Sequence, residues 1–174
     1  MSTLPSSVSM YHASVPVFRQ MLLALSDVLG KAEAYGEAKK VDQLVLLQSR
    51  LALDMFPLVR QVQIACDFAK SVAARLTAVE VPAYDDSEQD IAGLQTRIVS
   101  TVAFLDGLSE TQFDGSEALE IVLRPGTPKE KTLTARAYLL NYGLPQFFFH
   151  VTTAYNLLRH NGVEIGKKDY MGSY

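Results

Sequence analysis

The feature that most constrains this chain is a helical apolar period that recurs along it. Val8, Tyr11, Val15, Phe18, Leu22, Leu25 and Leu29 fall three or four residues apart, which sets them on one face of a helix. Leu58, Val62, Ala65, Phe68, Ala69, Val72 and Leu76 repeat the pattern, as do Ile91, Leu94, Ile98, Val102 and Leu105. A fourth helix begins near Thr134 as N-cap and ends around Asn161 and Gly162. Helices with one apolar face must bury it against each other. The chain therefore reads as all-α, an antiparallel four-helix bundle in a single domain over residues 1–174.

Prolines and glycines punctuate the pattern. Pro16 predicts a kink in the first helix or its start there, with the kink preferred, and Pro145 predicts a second kink in the last helix. A short helix is expected over Asp42 to Gln48, an irregular passage over 51–56, and Pro57 suits the first turn of the second long helix. Ser87 with Asp90 reads as a capping box for the third, and Gly107 as its left-handed stop. Between Leu119 and Thr134 the period drops to two around a Pro125-Gly126-Thr127-Pro128 turn, which predicts a small β-hairpin before the last helix.

Composition narrows the function classes. Sixteen Lys and Arg are interspersed with 19 Asp and Glu for a net charge of -3, so the basic stripe that phosphate backbones require is missing and no nucleic acid is expected. No apolar run is long enough to span a membrane. The lone Cys66 excludes an internal disulfide and a thiolate-rich zinc site, and its flanks carry no cation to activate it, so it reads as a structural thiol in a reducing compartment. The start Met1-Ser2-Thr3-Leu4-Pro5 has no basic and apolar export pattern, and a cytoplasmic location is expected. There is neither a Gly-x-Ser-x-Gly elbow nor a glycine-rich phosphate loop.

The last helix shows two faces. One carries Leu140, Leu144, Phe147, Phe148, Val151, Tyr155 and Leu158; the other carries Leu139, Tyr142, Gln146, Phe149, His150, Thr153 and Leu157. A second apolar face needs a second cover, either the hairpin and loops or another subunit, and a homodimer through this helix is expected. Gln146 and His150 stand four apart, the separation that lets two side chains converge on one ion or ligand, and Gln61 lies inside the apolar face of the second helix while Gln63 projects to the opposite side. The same residues could instead satisfy one another, Tyr11, Tyr142 or a buried water. His12 lies beside the seam of the first helix and reads as a solvated or core-edge histidine in preference to a cavity-facing one, and His160, in the last turn of the fourth, as a cap or surface residue.

Three stretches resemble the DinB and YfiT superfamily of metal-dependent enzymes, and within it a branch known as a domain of unknown function. They are Ser14-Val15-Pro16-Val17-Phe18, Arg50 to Leu58 with Arg60-Gln61-Val62-Gln63, and Leu144 to Tyr155, completed by Leu158 to Val163 and Gly166 to Asp169. The resemblance spans nearly the whole chain and implies a DinB-like four-helix bundle. It also implies a divalent metal such as Zn, Ni or Mn on a histidine triad, used in transfer or hydrolysis. Here only His150 keeps an imidazole; Gln146 and Gln61 stand at the other two positions, and amide oxygen binds such ions weakly, so an altered metal site and no metal are both open. The resemblance also places Asp54 in a signature stretch, where its own position suggests a cap for the second helix. The candidate pocket is thus Asp54, Gln61, Tyr142, Gln146 and His150, binding a small molecule or ion. Any chemistry would use His150 as ligand or general base, with the glutamines orienting water or substrate. The alternative is a non-catalytic homodimeric module in which these residues form a closed hydrogen-bond network.

Overall fold

The first long helix, α1 (Val15–Lys39), starts at its proline instead of bending there: Pro16 occupies the first turn, and residues 10–14 form turns ahead of it. A proline in the first turn forfeits no helical hydrogen bond, so starting there is the cheaper of the two solutions. The computed structural model describes residues 8–174, and the export-signal reading of residues 1–5 lies outside them. A short α2 (Gln43–Leu47) follows, capped by the Asp42 carboxylate on the Leu44 N–H at 2.9 Å. Then come α3 (Leu58–Thr77), α4 (Ile91–Asp106), the hairpin β1 (Glu120–Leu123) and β2 (Lys131–Thr134), α5 (Ala135–Tyr138), α6 (Leu144–His160) and α7 (Lys167–Met171).

The long helices form a ring in the order α1, α4, α3, α6. The bundle is antiparallel within the pairs α1–α4 and α3–α6. Arg19 meets Asp106 and Gln95 reaches the Ser26 carbonyl across the first pair; Arg75 bonds Tyr138 and Gln61 bonds His150 across the second. Helices α3 and α4 run the same way, which explains the 78–90 crossover segment between them. The predicted faces fill the centre: Phe18, Leu22, Leu29, Val62, Ala65, Val72, Leu94, Ile98 and Leu105 are fully buried. Val8, at 76% exposed, does not join them because the helix has not yet begun.

Local expectations fail where tertiary packing takes over. Asp90, not Ser87, caps α4, its carboxylate accepting from the Gly93 N–H at 2.7 Å. Gly107 keeps a right-handed conformation (φ -76°), since the chain continues into further turns without reversing there. Gln63 is buried: α3 faces α6 on one side and α4 with the crossover on the other, so its expected outward side is covered too. Cys66 lies fully buried, and desolvation pushes its thiol up to about 12, as a structural thiol requires.

The last helix is continuous from Thr134, its N-cap, but passes through a π-helical turn at Leu139–Gly143. Pro145 has no N–H to offer the preceding turn, and a widened turn relieves the clash of its ring with the backbone. Both predicted faces are largely covered within the chain. Phe147 packs edge-on against Phe18, Tyr155 against Tyr170, and His150 and Leu157 are buried, while Leu140 and Phe149 remain 44% and 54% exposed. Among the described residues no helix is long and apolar enough to cross a membrane.

Gly143 fixes the seat of this helix on α3, since a Cβ there would lie 2.8 Å from Val72 Cγ2. Gly143→Ala is expected to destabilise the fold by about 1–3 kcal/mol, as overpacking does. In a Val72→Ala background the same change should cost less, and a urea-unfolding double-mutant cycle reads the difference.

Candidate functional site

His150 and Gln61 meet between α6 and α3. The imidazole is 7% exposed and the amide 1%. Gln61 Nε2 donates to the Phe56 carbonyl at 3.0 Å, which orients the amide so that Oε1 faces His150 Nδ1 at 2.7 Å. An amide oxygen only accepts, so Nδ1 carries the imidazole proton and Nε2 is left as the basic nitrogen. Nε2 has no hydrogen-bond partner among the described residues and is not sealed from solvent. Phe68 stacks on the ring at 5.9 Å and 15°, and Phe149 meets it edge-on at 5.2 Å. Burial, and behind it the charge of Arg60, depresses the imidazole to about 4, so it is neutral at pH 7.

The other candidates lie unequally near. Tyr142 contacts Phe68 edge-on at 5.9 Å and stacks on Tyr138, tying it to the same aromatic group. Tyr142 and Gln146, with Asn141, Pro145 and Phe149, line an open hollow of about 270 Å³ on the outer side of the last helix. Asp54 does not join: it is exposed in the turn before Pro57, and Pro57, not Asp54, occupies the cap position of α3 with no side-chain capping bond. The 51–56 turn is held by Arg50 donating to the Met55 carbonyl at 2.5 Å, which leaves that carboxylate in solvent. His12 lies at the surface near Ser9 and Glu110, and His160 is exposed.

Gln61 therefore positions His150, and its single amide oxygen is committed to that imidazole. Gln146 is half-buried on the neighbouring turn. Among the described residues no three His, Cys, Asp or Glu side chains gather closely enough to hold a metal ion. The donor set thus does not fit the histidine triad that the resemblance implied.

A polar cluster that sequence reasoning missed lies beside this site. Arg97, on α4 and buried, bonds Asp67 at 2.9 Å, Asp86 at 3.0 Å, Glu88 at 2.9 Å and the Asp85 carbonyl at 3.1 Å. Glu88 also accepts from Gln63 at 2.6 Å, and Gln63 accepts from Arg60 at 2.8 Å. Lys70 reaches Asp67 at 3.2 Å and the Pro82 carbonyl at 2.6 Å. Against the opposing effect of burial, Arg97 and Gln63 hold Glu88, and Arg60 with Arg97 holds Asp86, below the usual carboxylate range, and these bonds fix the crossover onto α3 and α4. Arg60 thereby reaches the His150 side from this cluster. No spacing rule links residues 60, 67, 86, 88 and 97, which only the crossover brings together.

A helical ring with a hairpin ahead of its last member is a DinB-like fold, here with one buried histidine between its second and last long helices. The structure is similar to the crystal structure of a DinB family member protein from Shewanella denitrificans, with a TM-score of 0.89 and 47% identity over 95% of this chain and 93% of that one. A family model described as Domain of unknown function (DUF1993) matches residues 10–171, and the chain belongs to that family. No curated protein matches the sequence.

The depressed imidazole gives a signed pH dependence. Below pH 6.5 the unfolded chain takes up a proton at position 150 that the folded chain refuses until about pH 4, so stability is intact above this window and is lost as pH falls through it. The loss is at most on the order of 3 kcal/mol, reduced by solvent screening of a ring whose Nε2 still reaches water. Urea unfolding between pH 7 and pH 4 should show a steeper decline for wild type than for His150→Asn.

Proposed function

We propose that this DUF1993 member is a small-molecule-binding DinB-like bundle in which His150 serves as a neutral hydrogen-bond acceptor or general base. Its ligand would sit in the hollow of Tyr142, Gln146 and Phe149, without a tightly held transition metal. The observation that carries the reading is the asymmetry of the imidazole. Nδ1 is held by Gln61 at 2.7 Å, and Nε2 has no partner among the described residues. A hydrogen bond that fixes one ring nitrogen sets the direction and basicity of the other, which is how a histidine is prepared to bind or to move a proton. The half-buried Gln146 and Tyr142 and the exposed Phe149 line the hollow, and Phe149, whose ring meets the imidazole edge-on, connects it to His150, which does not itself line it. If a reaction occurs, it falls in the transfer or hydrolytic classes implied for DinB-like proteins, with Nε2 as base and Gln146 orienting substrate or water.

The second reading is a non-catalytic homodimeric module. It is favoured by the complete satisfaction of Gln61, whose amide is bonded at both ends, and by the exposure of Leu140 and Phe149 on the last helix. In that case the His150–Gln61 pair fixes helix register and the exposed apolar residues meet a second copy.

Elemental analysis and thermal melting of wild type beside His150→Ala separate the possibilities. The small-molecule reading expects no stoichiometric Zn, Ni or Mn in either protein and no rise in Tm on adding them. It also expects members of an uncharged fragment library to raise the Tm of wild type but not of His150→Ala, with a gain of about 2.7 kcal/mol at a hundredfold excess over Kd. Stoichiometric metal that is lost with the imidazole would overturn it. A Tm that responds to protein concentration and to no fragment would favour the dimeric module.

A further inference from the structure

A second hollow, of about 300 Å³, opens where the hairpin meets the last helix. Its volume is at the lower end of those that hold small ligands. Arg124, Lys129 and Lys131 line it together with Leu123, Leu133 and Tyr142, and no carboxylate lines it. None of these three cations has an ion-pair partner among the described residues. The neighbouring Glu130 is engaged elsewhere, accepting from the Gly126 N–H at 2.6 Å. Three cations line one hollow with no carboxylate among its walls, in a chain of net charge -3, an arrangement that favours an anion there.

The geometry points to a binding site for a small organic anion. We propose that a carboxylate or phosphate head is taken by Arg124, Lys129 and Lys131 while an apolar or aromatic tail lies against Leu123, Leu133 and the ring of Tyr142. Tyr142 also lines the hollow beside Gln146, so a longer ligand would extend from the hairpin toward Gln146 and Phe149. The basic end supplies affinity that falls with salt, and the apolar lining selects against bare inorganic ions.

The test titrates the isotope-labelled protein with phenyl phosphate, inorganic phosphate and benzyl alcohol and follows backbone amide signals. Phenyl phosphate should move the signals of residues 123–133 and of residues 141 and 142. Arg124→Gln combined with Lys131→Gln, both exposed positions, should weaken its binding by at least about tenfold, equivalent to 1.4 kcal/mol. Unmoved hairpin signals, a double variant of wild-type affinity, or inorganic phosphate binding as tightly as phenyl phosphate would each overturn the inference. The hollow near His150 is scored separately. Benzyl alcohol moving the signals of residues 142–150 while phenyl phosphate fails would sink the anion site and leave the small-molecule reading standing. Phenyl phosphate binding at the hairpin with no probe ever reaching residues 146–150 would support the anion site and count against that reading.

Discussion

One hydrogen bond across the α3–α6 interface organises the rest of the candidate site. A buried amide or imidazole left unpaired costs about 1–3 kcal/mol, and between these two helices Gln61 and His150 relieve each other of that cost. The Phe56 carbonyl fixes the amide, the amide fixes the ring, and the ring is held flat by Phe68. Burial then keeps the imidazole uncharged, because protonation would place a cation in an apolar slot near the Arg60 guanidinium. His150 is therefore a buried, uncharged imidazole whose ring is oriented by Gln61.

A second constraint comes from topology. Because α3 and α4 point the same way, the crossover must return along the bundle, and its path is fixed by charge. A buried arginine is tolerated only when its charge is matched, and Arg97 is matched by Asp67, Asp86 and Glu88. The three acids share the guanidinium, so the cluster as a whole, and not any one pair, fixes the crossover. The same cluster holds Gln63 and Arg60 in place, so the crossover and the His150 slot are mechanically linked through the first turns of α3.

Much of the fold was legible in the residue pattern because apolar periodicity reports burial directly. The faces of α1, α3 and α4 filled the core, and the alternation from Leu119 to Leu133 gave the hairpin, paired Glu120 to Thr134 through Leu123 to Lys131. Pattern could not decide whether Pro16 bends or begins a helix, since both satisfy the same missing N–H; nor could it see that α3 is covered on two sides, which buried Gln63. At the site, four-residue spacing and a polar residue on an apolar face were enough to single out Gln61, Tyr142, Gln146 and His150. Asp54 came from resemblance to a signature stretch, and a carboxylate in a solvent-facing turn has no reason to point inward. The Arg97 cluster was illegible because it draws on segments distant in sequence that only the tertiary fold makes neighbours; the basic hairpin hollow is local to residues 123–142, but pattern alone does not show that its cations line one concavity.

Membership of the DUF1993 family and similarity to a DinB structure establish the scaffold, and the proposed function rests on the state of one ring. The most direct measurement is the nitrogen NMR spectrum of the His150 imidazole at pH 7 in wild type and in Gln61→Leu. A neutral ring protonated at Nδ1, losing that single-tautomer signature when the amide is removed, is the predicted result. A ring protonated at Nε2, or one carrying both protons at neutral pH, would contradict the account.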